Sequence, residues 1–275
     1  MSATGGTIIG SFAVYRSLAV AGFRRQWQYK LAMFAGLFTN CVFGFVRAAI
    51  LTAAVGAAGG FAGYDAGSIG AYVWLSQGLL GALLFMGAEL ELSERMRTGD
   101  IAIDFLRPVD IQFGHLAADL GRAVCTLVPR GLPSLLVGML TVGLALPSTP
   151  GPYLLGAVSV LLAMALSFLS LFALTTVGFW VVETRGLRVL YGVGGSFLAG
   201  LGVPVHAFPE WLRTVAAATP FPSILQAPVD VLSGRIVGFD AVRVIAVQVG
   251  WVLAVGAVGR LLLAAGRRKL EVQGG

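Results

Sequence analysis

The residues best equipped for chemistry crowd into one stretch, ELELSERMRTGDIAIDFLRPVD, Glu89 to Asp110. Glu89, Glu91 and Glu94 are clustered acids, the type that serves in general acid–base catalysis or binds hard cations. Nothing nearby completes a ligand set. The chain has two histidines, His115 and His206, and two cysteines, Cys41 and Cys125. Their spacing matches no zinc pattern. The sequence contains neither G-x-x-x-x-G-K-S/T nor H-E-x-x-H, so it lacks the P-loop cradle for nucleotide phosphates. These observations predict a chain that is not itself an enzyme and carries no cofactor or metal of its own. The charged stretch needs another explanation.

The surroundings supply its context. Of 275 residues, 57% are hydrophobic and 12% are charged, against about 25% charged in a soluble domain. The apolar residues come in blocks, and about 20 of them span a bilayer core about 30 Å thick. The expected fold is an all-α polytopic membrane protein with six transmembrane helices at 31–54, 68–88, 131–147, 153–182, 187–205 and 242–263, within one domain, 1–275. Residues 10–30 mix Phe12, Phe23 and Trp27 with Arg16, Arg24 and Arg25, which fits an interfacial helix against membrane lipid or a solvated arm. The first residues show no cleavable signal.

The net charge of +6 follows topology rather than nucleic acid. Arg16, Arg24, Arg25 and Lys30 precede the first span, Arg95 to Arg130 lie between the second and third, and Arg267, Arg268 and Lys269 follow the sixth. The positive-inside rule then places both termini in the cytoplasm. His115 and His206 fall on opposite sides. Lys30 and Lys269 are the only lysines, a bias of GC-rich genomes, and the expected location is a bacterial plasma membrane.

Within the charged stretch, Glu91 and Arg95 stand four apart and can pair on one helix face. Gly99 suits a left-handed cap, Asp100 suits the start of a second short helix, and Pro108 stops it. Ile101, Phe105 and Leu106 would share one side. The outcome is either a short helix lying crosswise under the membrane or a capped loop.

Polar residues within the spans are the other candidates. Arg47 in the first span can snorkel outward or face a transport path. Asn40, and Gln77 in the second span, need partners. Gly194 and Gly195 allow close helix approach in the fifth span. Self-contained transport, as a secondary transporter or channel, would draw on Asn40, Arg47 and Gln77.

The order of these elements resembles the permease subunit of the ABC-2 class of ABC exporters. SERMRTGDIAIDFLRPVD resembles that class's cytoplasmic coupling pattern, with Asp100 where threonine is common. FPEWLRTVAAATPFPSILQAPVDVLSG, 208–234, resembles its re-entrant-like outer segment before the last span, shaped by Pro209, Trp211 and Pro220. The resemblance implies a coupling helix at 100–106, docked on a P-loop ATPase and flanked by Arg97 and Arg107. It implies two ATPase copies binding ATP and Mg, and a second permease, identical or related. It places the path near the first, second and fifth spans, for export of an amphipathic or hydrophobic small molecule.

Overall fold

The computed structural model describes residues 4–58, 60, 62–85, 89–181 and 183–273. Every regular element among them is a helix. In chain order these are α1 (Thr4–Trp27), α2 (Lys30–Ala58), α3 (Ala66–Leu80), α4 (Glu91–Thr98), α5 (Ile101–Asp104), α6 (Ile111–Thr141) and α7 (Gly151–Thr176). Then come α8 (185–198), α9 (Glu210–Ala217), α10 (Phe221–Ile224), α11 (Gln226–Leu232) and α12 (Gly238–Gln273). Four helices are long and apolar enough to cross a membrane: Lys30–Ala58, Ile111–Thr141, Gly151–Phe179 and Gly238–Lys269.

α7 is the hub. It packs along α12 and touches α6, α10 and α11, and its Phe168, Leu171 and Phe172 are fully buried. On the other flank α2 and α6 clasp α3, burying Ile69 through Leu79. In lipid, apolar burial gains little, so close packing of small residues holds helices together. The α1–α6 contact shows this: a Cβ on Gly121 would lie 1.9 Å from the Ala19 carbonyl oxygen, and one on Gly22 2.0 Å from that of Ala118. The two backbones touch, so the expected helix at 10–30 lies along α6 and ends at Trp27.

Several helix bounds differ from the sequence reading. In the 68–88 stretch α3 stops at Leu80 after 15 residues, roughly 22 Å, and residues 86–88 fall outside the described ones. The chain from Gly81 to Phe85 is irregular and mostly buried. Buried irregular backbone needs internal hydrogen-bond partners. Here Arg122 donates from Nη1 to the Gly81 carbonyl at 3.4 Å and from Nη2 to that of Ala82 at 3.0 Å. The Leu84 amide donates to Ser167 Oγ at 2.6 Å.

The 131–147 stretch belongs to a longer helix that starts at Ile111 and ends at Thr141. Pro129 would break a regular α-helix, but a π-helical turn, Leu127–Gly131, absorbs it. Gly143, at φ +72°, lies just beyond the end. Helix in the 153–182 stretch runs from Gly151 to Thr176 and continues as a 3₁₀ turn to Phe179; Val182 is outside the described residues. In the 187–205 stretch helix ends at Leu198, with a π turn at Tyr191–Gly195. The chain then turns at Gly200 (φ +93°), where any side chain would also strike Tyr72.

Candidate coupling turn and buried polar seams

The charged stretch folds into two short helices. α4 ends on Gly99 at φ +85°, the left-handed conformation that glycine adopts without strain. Asp100 does not cap α5: it is itself helical and its side chain bonds no amide there. Its carboxylate instead accepts from Thr98 Oγ1 at 3.0 Å. α5 spans only Ile101–Asp104, shorter than the expected 100–106.

Arg95 does not pair with Glu91. It grips Asp104 across the Gly99 bend, bonding both carboxylate oxygens, one at 2.9 Å. Arg107 approaches the same carboxylate at 3.5 Å. The Asp104 hydrogen bond raises the Arg95 pKa. Arg97 points outward to Glu94 at 2.7 Å and, by hydrogen bonding, holds the Glu94 carboxyl below its usual range.

Ile101 is fully buried against Leu92, Phe168 and Phe172. Phe105 is half-buried at the edge of that cluster, with the Arg267 guanidinium 5.4 Å from its ring. Leu106 is 85% exposed and Ile103 53%. The turn therefore has an anchored side and an apolar free side, and Leu106 belongs to the free one rather than sharing the side of Ile101.

Ion pairs wire this stretch to three distant elements. Glu91 pairs with Arg25 of α1, Glu89 with Arg188 of α8, and Asp110 with Arg260 of α12 at 2.6 Å. Sequence reasoning missed these contacts because they join residues far apart in the chain. The clustering of Glu89, Glu91 and Asp110 among arginines was the available signal.

The intramembrane candidates meet at two places along the α2–α3–α6 seam. Asn40 Nδ2 donates to the Gln77 carbonyl at 3.0 Å, and Asn40 Oδ1 accepts from Arg130 Nη2 at 2.8 Å. Gly36 and Gly81 leave room for that guanidinium. Arg130 had been expected in the cytoplasmic connection; the longer α6 brings it to the seam. Arg47 donates from Nη1 to Ser76 Oγ at 3.1 Å, leaving its Nε and Nη2 buried and unpaired. Gly194 faces open space, whereas Gly195 lies against Phe221.

At the other end of α3 a second polar network binds the segment before α12. Tyr72 Oη donates to the Gly200 carbonyl at 2.6 Å and lies 3.0 Å from Gln226 Oε1. Gln226 Nε2 donates to Asp230 Oδ1 at 2.9 Å, and Asp230 Oδ2 meets His206 Nε2 at 2.8 Å. Asp230 is 2% exposed. Arg235 stacks on Tyr64, 4.0 Å from the ring centre, and burial together with the Asp230 charge raises the Tyr64 pKa. Pro209 and Pro220 stand at the starts of α9 and α10, and Trp211 is exposed. His206, Gln226 and Asp230 were not among the expected site residues. Asp230, the one acid in α11, was the clue.

No group of three or more histidine, cysteine or acidic side chains able to hold a metal ion occurs among the described residues. The geometry offers an anchored turn, a polar seam along α2, α3 and α6, and a segment before α12 latched to the start of α3. The sequence model of a family described as ABC-2 family transporter protein matches residues 38–274. Comparison with curated proteins gave no match.

Proposed function

The chain belongs to the ABC-2 family of transporter proteins, and from that premise we propose that it is the membrane-spanning permease subunit of an ATP-driven exporter. ATP and Mg are bound by separate P-loop ATPase subunits, two per complex, and a second permease, identical or related, completes the membrane part. The cargo is an amphipathic or hydrophobic small molecule. The site is the plasma membrane of a bacterium, with both termini in the cytoplasm.

In this reading α3 and α8 are two short spans that join the four long ones to make six. Their short length is compensated by irregular backbone buried in protein, as at Gly81–Phe85. α1 lies at the cytoplasmic interface, where Arg16, Arg24 and Arg25 meet lipid phosphates.

The observation that carries the proposal is the coupling turn. Leu106 and Ile103 present apolar surface to the cytoplasm, while the Arg95–Asp104 clamp closes the bend and Ile101 fixes the turn against Phe168 and Phe172 of α7. A partner that binds Leu106 and moves would move α1, α8 and α12 through the Glu91, Glu89 and Asp110 pairs. Transport needs contacts that differ between two states, and the Arg25–Glu91 pair, exposed on both sides, can exchange at small cost. Affinity capture from native membranes in mild detergent tests the proposal: a P-loop ATPase should accompany the chain in stoichiometric yield, and its absence would refute the exporter reading.

A further inference from the structure

α6 changes partners along its length. Its first part, Ile111–Thr126, packs on α7, and its last part, Leu132–Thr141, packs on α3 and α2. The π turn at Leu127–Gly131 marks the change. There a cleft of about 660 Å³ opens between α6 and α7, inside the range of about 300–1,000 Å³ typical of ligand sites. Leu75 and Leu79 of α3 and Val160 of α7 are buried and form its floor, whereas Leu132, Leu136 and Leu161 are exposed and form its rim.

Backbone contact keeps the cleft from closing. A methyl group on Gly131 would lie 2.7 Å from the Gly78 carbonyl oxygen, so α6 already touches α3 main chain to main chain. Moving α6 onto α7 would break that contact. α7 is held on another side by its long packing against α12. An unfilled space here would deprive its lining of dispersion contacts.

The wall states what fits. Tyr153 carries the only hydroxyl among the lining residues, and it donates to the Pro147 carbonyl at 2.8 Å. No lining side chain is charged, so a polar ligand would find no partner, while an apolar cavity excludes water and takes apolar guests. Both flanking helices are long and apolar enough to cross a membrane, and lipid chains therefore reach the rim leucines. The wall on α6 runs from Val124 to Met139, roughly 22 Å of helix. Half of a hydrocarbon core is about 15 Å thick, so the cleft has the length of one acyl chain.

We propose that this cleft binds one acyl chain of a membrane phospholipid, laid between Leu136 and Leu161 onto Leu75, Leu79 and Val160. The headgroup stays outside, since the wall offers it nothing. The bound chain fills the space that α6 and α7 leave and backs the last part of α6 against α3. The assignment depends on these helices lying in a membrane, not on an ATPase or on the identity of the cargo.

The test uses the full chain in phosphatidylcholine nanodiscs doped with a phosphatidylcholine that carries a diazirine midway along one acyl chain. After photolysis, mass spectrometry maps the adducts. Leu75, Leu79 or Val160 should be labelled, although each is buried, beside Leu253 of α12, which is 68% exposed and reports ordinary lipid contact. Ala157 also lines the cleft, and Ala157→Phe should cut labelling of the floor about tenfold or more while Leu253 is labelled as before. Leu136→Trp should do the same from the opposite wall, and thermal unfolding checks that each variant is folded. A parallel arm replaces the phospholipid probe with a diazirine-bearing alkyl maltoside, a single-chain amphiphile standing for cargo. A floor left unlabelled, a floor labelled by the maltoside alone, or floor labelling undiminished in both folded variants overturns the proposal. No readout uses ATP or a partner, so failure here leaves the exporter reading standing, and absence of an ATPase partner leaves the lipid site standing.

Discussion

Arg260 Nη2 donates to Asp110 Oδ2 at 2.6 Å, joining α12 to the first turn of α6 across 150 residues of sequence. Asp110 also accepts from the Phe113 amide at 2.9 Å through its other oxygen, so one carboxylate both caps α6 and holds α12. The two roles separate by mutation. Asp110→Asn keeps an acceptor for the cap and loses the charge, which should cost less than about 1 kcal/mol because Arg260 is half exposed. Asp110→Ala removes both and should cost about 1–2 kcal/mol. Thermal unfolding in detergent checks the order; equal effects would mean that the cap is idle.

Gly121 allows α1 to lie backbone to backbone on α6. Gly121→Ala forces a methyl group to within 1.9 Å of the Ala19 oxygen, which no side-chain rotation relieves. The expected cost is on the order of 1–3 kcal/mol, seen as faster proteolysis of α1 while the long helices stay protected. Unchanged protection would show that α1 does not depend on this contact.

Arg122 satisfies the carbonyls where α3 breaks and neutralises Asp119. Arg122→Leu leaves that acid buried without its cation and should destabilise the chain by about 3–5 kcal/mol. Asp119→Leu in the same chain should recover part of the loss. A double variant as unstable as the single one would place the damage at Gly81 and Ala82 instead of at Asp119.

Asp65 caps the first turn of α3. It accepts from the Ser68 amide at 2.7 Å, and Ser68 Oγ in turn accepts from the Asp65 amide. The Ser68 backbone bond, then its hydroxyl, lower the Asp65 pKa. A carboxyl lowered on folding stabilises above its unfolded pKa of about 3.9, and the benefit fades as pH falls through the lower folded value. Asp65→Ala should therefore lower stability by about 1 kcal/mol at pH 7. The difference from wild type should shrink in acid, and a difference that grows there would contradict the cap.

Much of the architecture was legible because apolar run length is a strong signal: 31–54 and 242–263 lie wholly inside α2 and α12. Gly99 was legible as a left-handed cap because few other residues tolerate that conformation. Failures occurred where tertiary partners replace local rules. Composition cannot show that α3 stops at Leu80, because the carbonyls it frees are met by Arg122, some 40 residues away. Pro129 reads as a helix boundary, yet a π turn carries the helix past it. Asp100 reads as a cap, but Arg95 and Asp104 close the bend across it.

On the exporter reading a separate ATPase drives this chain through the coupling turn, and Leu106 gives that link its sharpest test. Leu106 is 85% exposed, so Leu106→Asp should leave thermal unfolding unchanged, unlike Phe105→Asp, which puts a charge at the edge of the Leu92–Phe172 cluster. The decisive measurement is ATPase recovery and ATP hydrolysis in complexes purified from native membranes, wild type beside Leu106→Asp. Wild type should bring down a stoichiometric P-loop ATPase, and the equally folded variant should lose it, or its coupled hydrolysis, by about tenfold or more. A folded Leu106→Asp chain that keeps the ATPase and its full coupled activity would contradict that link.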